Sequence, residues 1–116
     1  MKAFAAELLA KGGSRRTARL LWQEAYDTAT DGRIKENARE NLLALTAQDD
    51  IELLQGLVTK LKQKMGRPIA SLQDLVQVGL LKSYPLDPKG FRYLLNPSTG
   101  KVELAPESTI RRIDQY

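Results

Sequence analysis

Apolar residues recur at helical spacing over the first half of the chain. Residues 3–10 are rich in alanine and leucine, which favour a helix, and Gly12-Gly13 would end that helix. Ser14 is a good N-cap for a second helix, which is predicted to run to about Thr30. The apolar stripe of this second helix follows i, i+3, i+4, i+7 and i+11 spacing and comprises Ala18, Leu21, Trp22, Ala25 and Ala29.

Two further helices are predicted before Gly66. The first follows the turn signal Asp31-Gly32, and its apolar stripe comprises Ile34, Ala38, Leu42 and Leu45. The second would begin near Asp49-Asp50, because acidic side chains favour a helix N-terminus. Its apolar face comprises Ile51, Leu54, Leu57, Val58, Leu61 and Met65. Gly66 would end this helix, and Pro68 would prevent its continuation.

A short helix is predicted directly after Pro68. Ser71 and Asp74 have the spacing of a capping box, with Asp in place of the preferred Glu. Gly79 is the expected C-cap. The side chains expected to face the core are Leu72, Leu75, Val76, Leu80 and Leu81.

The last ordered element predicted is a β-hairpin. Phe91, Tyr93 and Leu95 alternate with more outward positions, which is typical of a half-buried strand. Val102 and Leu104 alternate in the same way on the return strand. The segment Asn96–Gly100 between them is predicted to be the turn, because proline and glycine suit its special backbone positions. A lone hairpin is marginal in water, so its apolar face must pack on the helices.

These elements predict a mainly α fold of antiparallel, repeat-like helical hairpins, followed by a short helix and a C-terminal β-hairpin. We expect a single domain over residues 1–104, with repeat-like helices in 1–47, a long helix in 48–66, and the short helix and hairpin in 68–104. Residues 105–116 are expected to form a tail, whose main apolar residues are Ile110 and Ile113.

Composition removes several classes of chemistry. The 116 residues include no Cys and no His, so thiolate nucleophiles, imidazole bases and the usual zinc ligands are absent. No segment reaches the roughly 18 apolar residues of a membrane-spanning helix. The net charge of +4 is spread along the chain, whereas nucleic-acid binding usually requires a concentrated basic patch. The chain opens like the middle of a helix, so we expect the natural protein to extend upstream of Met1.

Few residues are candidates for function, and none is predicted to be catalytic, metal-binding or cofactor-binding. Asp49 and Asp50 are adjacent and are interpreted as helix-start charges. Asp87 lies in a proline-rich turn, where its carboxylate would accept the N–H of Lys89 or Gly90. The candidate binding surface is basic; the alternative is that its side chains are solvated helix-end charges. It comprises Arg15, Arg16, Arg19, Lys60, Lys64 and Arg67.

The segment from about Lys2 to Thr30 resembles one tetratricopeptide repeat. Ala18, Trp22 and Ala25 match the small–large–small spacing of the second helix of that repeat, and Ala6 and Leu9 match its first helix. Residues 32–65 do not reproduce the pattern at a 34-residue step, so a generic helical hairpin is the alternative. The resemblance implies the end of a helical solenoid, since one repeat cannot bury its own faces.

A second resemblance covers about 25 residues and is to the soluble part of type II secretion major pseudopilins. Lys89 stands where those proteins have Trp, and Arg92 replaces a second Pro. This resemblance implies a shared local structure and slightly favours a periplasmic or membrane-attached protein, although the sequence does not determine the compartment. The matching residues are Leu72, Leu75, Val76, Gly79, Pro85, Asp87, Pro88, Gly90 and Tyr93.

The expected function is that of a non-catalytic protein-interaction module, the capping end of a helical-repeat protein that binds a protein or peptide. The alternative is a small basic helical domain that binds nucleic acid or a phosphate-bearing ligand. No cofactor is expected, and the sequence leaves the oligomeric state open.

Overall fold

The computed structural model describes residues 15–112. The helix predicted over residues 3–10, the N-cap Ser14 and the tail residue Ile113 lie outside these residues. The described elements are α1 (Arg15–Thr28), α2 (Gly32–Met65), α3 (Gln73–Gln77), β1 (Tyr93–Asn96) and β2 (Lys101–Leu104). The predicted fold class, mainly helical with a C-terminal β-hairpin, is confirmed.

The chain divides into two compact units by its internal contacts. Among the described residues, the first unit comprises 15–46 with 111–112, and the second comprises Ala47–Ile110. Helix α2 contributes its first half to the first unit and its second half to the second. The single domain over residues 1–104 stays a prediction.

Helix α1 belongs to the first unit and carries the stripe that its sequence predicts. Ala18 is fully buried, and the other four stripe positions are half-buried, whereas Leu20 on the other side is 65% exposed. The indole of Trp22 is half-buried, and its Nε1 atom is shielded from solvent without a hydrogen-bond partner among the described residues. Trp22 therefore contributes apolar contact area to this unit.

Helix α2 is one continuous helix of 34 residues, so the break expected near Asp49 was wrong. No glycine or proline lies between Arg33 and Gln55, and nothing in that stretch interrupts the backbone hydrogen bonds of a helix. The expectation that Ile34 is buried was also wrong, because this side chain in the first turn is 57% exposed. The buried positions of α2 in the first unit are Ala38, Asn41, Ala44 and Leu45.

The second unit has a core formed by α2, α3 and the hairpin. Tyr93, Leu72 and Leu75 are its largest fully buried side chains, together with Ile110. Met65 at the end of α2 is 40% exposed, so the apolar face predicted for this helix ends with Leu61. The remaining buried apolar residues of the unit are Ala47, Leu54, Val58, Leu61, Ile69, Leu95, Val102 and Ala105.

Helix α3 forms where the sequence predicts a short helix, but its N-terminus differs from a capping box. The Ser71 hydroxyl accepts the N–H of Gln73, two residues on, at 3.1 Å. Gly79 follows the helix with a φ of +85°, a conformation that glycine adopts readily. The expectation that Leu80 enters the core was wrong, because the chain turns at Gly79 and leaves Leu80 41% exposed.

Strands β1 and β2 form the predicted antiparallel hairpin. Tyr93 pairs with Leu104, and Leu95 pairs with Val102. The inward positions are buried or half-buried, while Leu94 and Glu103 on the other face are exposed. Gly100 closes the turn with a φ of +73°, and its N–H donates to the Asn96 carbonyl at 2.7 Å.

The chain after the hairpin packs against the second unit as far as Ile110. Ala105, Ser108 and Ile110 are each at most 6% exposed. This part of the predicted tail therefore contributes to the core of the unit. Within residues 15–112, no helix is both long and apolar enough to cross a membrane.

Candidate functional site

Gln55 on helix α2 forms two hydrogen bonds with the backbone of the hairpin. Its Nε2 atom donates to the Gly100 carbonyl at 2.8 Å, and its Oε1 atom accepts the N–H of Val102 at 2.9 Å. The carboxamide thus satisfies backbone groups at the outer edge of β2, as a neighbouring strand would. The turn of the hairpin is thereby held at a fixed distance from the helix.

Replacing Gln55 with alanine should lower the free energy of unfolding by about 2 kcal/mol, because one N–H and one carbonyl of the hairpin lose their partner. Chemical denaturation measures this loss. Gln63→Ala is the matched control, since Gln63 is exposed on the same helix, and it should change stability by less than about 0.5 kcal/mol. Equal losses in the two variants would contradict the role given to Gln55.

Tyr93 joins the hairpin to helix α2 inside the second unit. Its ring is 1% exposed, and its hydroxyl donates to Asp50 Oδ2 at 2.8 Å. Burial raises the pKa of Tyr93 well above its ordinary value of about 10; the hydrogen bond to Asp50 and the negative charges of Asp50 and Asp87 raise the pKa further. This hydroxyl is therefore a hydrogen-bond donor throughout the neutral range.

Tyr84 hydrogen-bonds to the backbone of β1. Its hydroxyl donates to the Tyr93 carbonyl at 2.6 Å, and the Arg92 guanidinium lies 4.7 Å from the centre of its ring. Burial raises the pKa of Tyr84, and the positive charge of Arg92 opposes this effect. Both tyrosines thus contribute to the attachment of β1.

Asp87 is buried and organises the turn that precedes β1. Its Oδ1 atom accepts the N–H groups of Lys89 at 2.8 Å and Phe91 at 3.0 Å. Its Oδ2 atom accepts the hydroxyl of Ser108 at 2.6 Å, and Ser108 Oγ in turn accepts the N–H of Ile110 at 3.2 Å. The expected bond from Lys89 is confirmed, and the bonds from Phe91 and Ser108 are additional.

An open cleft of about 300 Å³ lies in the second unit between the end of α2 and the turn of the hairpin. Gln55, Val58, Thr59 and Lys62 line it from the helix. Pro68, Ile69 and residues 97–100 complete the lining. None of its lining residues is acidic, and Lys62 is its one cation. The cleft therefore combines apolar and uncharged polar residues with a single positive charge.

The basic residues predicted on α2 do not line this cleft. Lys60 and Lys64 are exposed on the side of the helix that faces away from the core, and Arg67 is exposed just beyond the helix. Lys62 lies on the cleft side of α2. The 100° step between successive helical residues separates Lys62 from its neighbours. Without the position of the hairpin turn, the sequence could not distinguish Lys62 from the other lysines.

The other predicted basic residues lie in the first unit, on the first turns of α1. Arg16 is exposed, while Arg15 and Arg19 are half-buried. Arg19 donates from Nη1 to the Thr46 hydroxyl at 2.9 Å, so this side chain has a partner within its own unit. Arg15 likewise takes part in an interaction within the chain.

The acidic residues of the described segment do not gather into a metal site. Residues 15–112 contain no group of three or more His, Cys, Asp or Glu side chains that could hold a metal ion. Both carboxylate oxygens of Asp87 accept hydrogen bonds from the protein.

Comparison with known proteins gives no match: no family model fits this sequence, and no curated protein or solved structure is significantly similar to it. The resemblances to a tetratricopeptide repeat and to a pseudopilin tail therefore stay predictions from the sequence.

Proposed function

We propose that this chain is a non-catalytic protein-interaction module at the closing end of a helical-repeat array. In this proposal the second unit binds a partner helix that carries acidic residues. The partner contacts the exposed side of α2, which we call the outer face and define by Leu53, Gly56, Lys60 and Lys64. These residues are three or four positions apart and therefore share one side of the helix.

Gly56 is the observation that carries the proposal. It lies in the interior of α2 and is exposed. Apart from its chain neighbours and the nearby backbone of its own helix, a Cβ atom at this position would meet no atom of the described residues within 4 Å. Glycine in a helix interior costs about 1 kcal/mol relative to alanine, so the chain gives up stability here without any need from its own packing. Close approach of another backbone is the benefit that glycine provides.

Leu53 lies about one turn before Gly56 and is 65% exposed. A single exposed leucine is ordinary on a protein surface. Here, however, Leu53 lies beside Gly56, where the missing side chain leaves the helix backbone accessible. The leucine can therefore supply an apolar contact next to the shallow groove at the glycine. Leu53 and Gly56 together can receive one apolar side of a partner helix.

The charge of the outer face favours an acidic partner. Lys60 and Lys64 are exposed and form no ion pair with residues 15–112. Asp49 and Glu52, at the other end of this part of the helix, already take part in interactions within the chain. The end of the face at Lys60 and Lys64 is therefore positive, and complementary charges on a partner would set its orientation.

The Ala18–Trp22–Ala25 pattern supports the repeat-array part of the proposal. In the first unit, Ala18 is buried and the other two positions are half-buried, as the inward side of a repeat helix would be.

Gly56→Ala should stabilise the protein while it weakens partner binding. We expect the free energy of unfolding to rise by about 0.5–1 kcal/mol, because alanine favours the helix. The probe is a labelled amphipathic helical peptide with leucines on one side and flanking glutamates, titrated by fluorescence anisotropy. Binding should weaken about fivefold or more in Gly56→Ala and further in Gly56→Leu, because the added side chain fills the groove.

The double variant Lys60→Glu/Lys64→Glu tests the charge of the outer face. It should abolish binding of the glutamate peptide, whereas the control Lys82→Glu/Lys101→Glu, with the same change in net charge, should bind normally.

Analytical ultracentrifugation and a nucleic-acid titration test whether the outer face binds a second copy of the chain or a nucleic acid. A dimer that Gly56→Leu abolishes would show that the outer face binds a second copy of this chain and not a different partner. Binding of RNA with steep salt dependence, lost in Lys60→Glu/Lys64→Glu, would favour the nucleic-acid alternative.

A further inference from the structure

The cleft between α2 and the hairpin turn has the lining of a small binding site. Pro68 and Pro97 provide exposed apolar surface, to which the buried Val58 and Ile69 add little. Thr59, Ser98 and Thr99 provide hydroxyl groups, and Lys62 provides the ammonium group. A mostly apolar concavity with a few polar groups is the usual form of a ligand site, and about 300 Å³ is at the small end of that range.

The wall formed by the hairpin turn is held in place by the protein itself. Asn96 Oδ1 accepts the N–H of Ser98 at 2.9 Å, and Thr99 Oγ1 accepts the N–H of Lys101 at 3.2 Å. Gln55 holds the carbonyl of Gly100 at 2.8 Å. Because the wall is organised without a ligand, binding would carry little additional cost of ordering.

The polar groups of the cleft specify the charge of a ligand. Lys62 is an exposed cation that forms no ion pair with the described residues. No acidic side chain lines the cleft, so an anion would meet no repulsion there. One ammonium group matches a monoanion, whereas phosphate recognition commonly uses the bidentate geometry of arginine or several cations.

We infer that this cleft binds a carboxylate joined to a short aliphatic group, as at the C-terminal residue of a polypeptide that ends in leucine or valine. The carboxylate accepts hydrogen bonds from Lys62 Nζ and the neighbouring hydroxyls. The aliphatic group packs mainly on Pro68 and Pro97. This site lies on a different side of α2 from the outer face, so it is independent of the proposed function.

The experiment is an NMR titration of the ¹⁵N-labelled chain with N-acetyl-alanyl-leucine. Saturable shifts are expected for the amide signals of Ser98, Thr99 and Gly100. The same dipeptide with a carboxamide in place of its free carboxylate should bind about tenfold more weakly, which is the effect of losing one charge-assisted hydrogen bond. Lys62→Gln should reduce affinity for the acid by a similar factor and leave the carboxamide unaffected.

Lys101→Gln is the matched control, because Lys101 is an exposed cation beside the same turn but does not line the cleft. It should bind the acid normally, and thermal melts should show that both variants fold. Isovalerate distinguishes the two sources of the carboxylate: binding as tight as the dipeptide identifies a small acid, and weaker Lys62-dependent binding identifies a chain end. Equal binding of acid and carboxamide, equal losses in the two lysine variants, or no shift of the turn signals would each overturn the inference.

Discussion

Replacing Asp87 with alanine should lower the free energy of unfolding by about 3 kcal/mol. The sequence alone suggests one lost hydrogen bond, worth about 1 kcal/mol. In the structure, the carboxylate accepts two backbone N–H groups and the hydroxyl of Ser108, and Asp87 is 4% exposed. Alanine leaves those donors without a partner, two of them in a part-buried and one in a buried position, and an unsatisfied buried donor costs about 1–3 kcal/mol. Denaturant unfolding measures the change.

Glu107→Ala is the control for the Asp87 variant. Glu107 lies one residue from Ser108 but is exposed, so its loss should change stability by less than about 0.5 kcal/mol. Asp87→Asn should fall between the two, because its carbonyl oxygen still accepts the N–H groups of Lys89 and Phe91. A loss below about 1 kcal/mol for Asp87→Ala would show that the turn is held by its backbone bonds alone.

The same carboxylate was predicted to have a structural role in its turn, and the competing idea is that it binds calcium. Calcium takes six to eight oxygen ligands, and both oxygens of Asp87 accept donors of the protein. We therefore expect calorimetry with calcium to give no stoichiometric signal. A signal that Asp87→Ala removes would assign the turn to metal binding.

Local patterns in the sequence predicted the elements because each depends on neighbours along the chain. The stripe around Ala18 and Trp22 follows the period of a helix, and the alternation of Tyr93 and Leu95 follows the period of a strand. Gly79 and Gly100 adopt positive φ at the turns where glycine was expected. Local sequence did not determine the continuity of α2, since Asp49-Asp50 is compatible with both a helix start and a helix interior.

The contacts that organise the second unit could not be read from periodicity. Gln55 bonds to Gly100 and Val102, and Asp50 bonds to Tyr93, across 43 to 47 residues of sequence. A polar residue within a helix pattern predicts only exposure. Its long-range partner depends on how the hairpin is placed, which is a property of the packed unit. For the same reason, the cleft around Lys62 has no signature in the order of the residues.

The stability of the protein should fall steeply above pH 10 because of Tyr93. Its pKa in the folded protein lies above its ordinary value of about 10, owing first to burial and then to the hydrogen bond with Asp50. Above pH 10 the unfolded chain releases this proton and the folded protein retains it. Unfolding therefore becomes easier by about 1.4 kcal/mol for each pH unit. Below pH 10 both states keep the proton, and the contribution of this group is constant.

Tyr93→Phe isolates this effect, because phenylalanine fills most of the same space without a proton to lose. At pH 8 the variant should be less stable by about 1–3 kcal/mol, since it leaves the half-buried Asp50 without the tyrosine donor. Between pH 10 and 11.5 its stability should fall by about 2 kcal/mol less than that of the wild type. Tyr26→Phe, in the first unit, is the matched tyrosine control. Parallel curves for the wild type and Tyr93→Phe would mean that the Tyr93 hydroxyl is free to ionise in the folded protein.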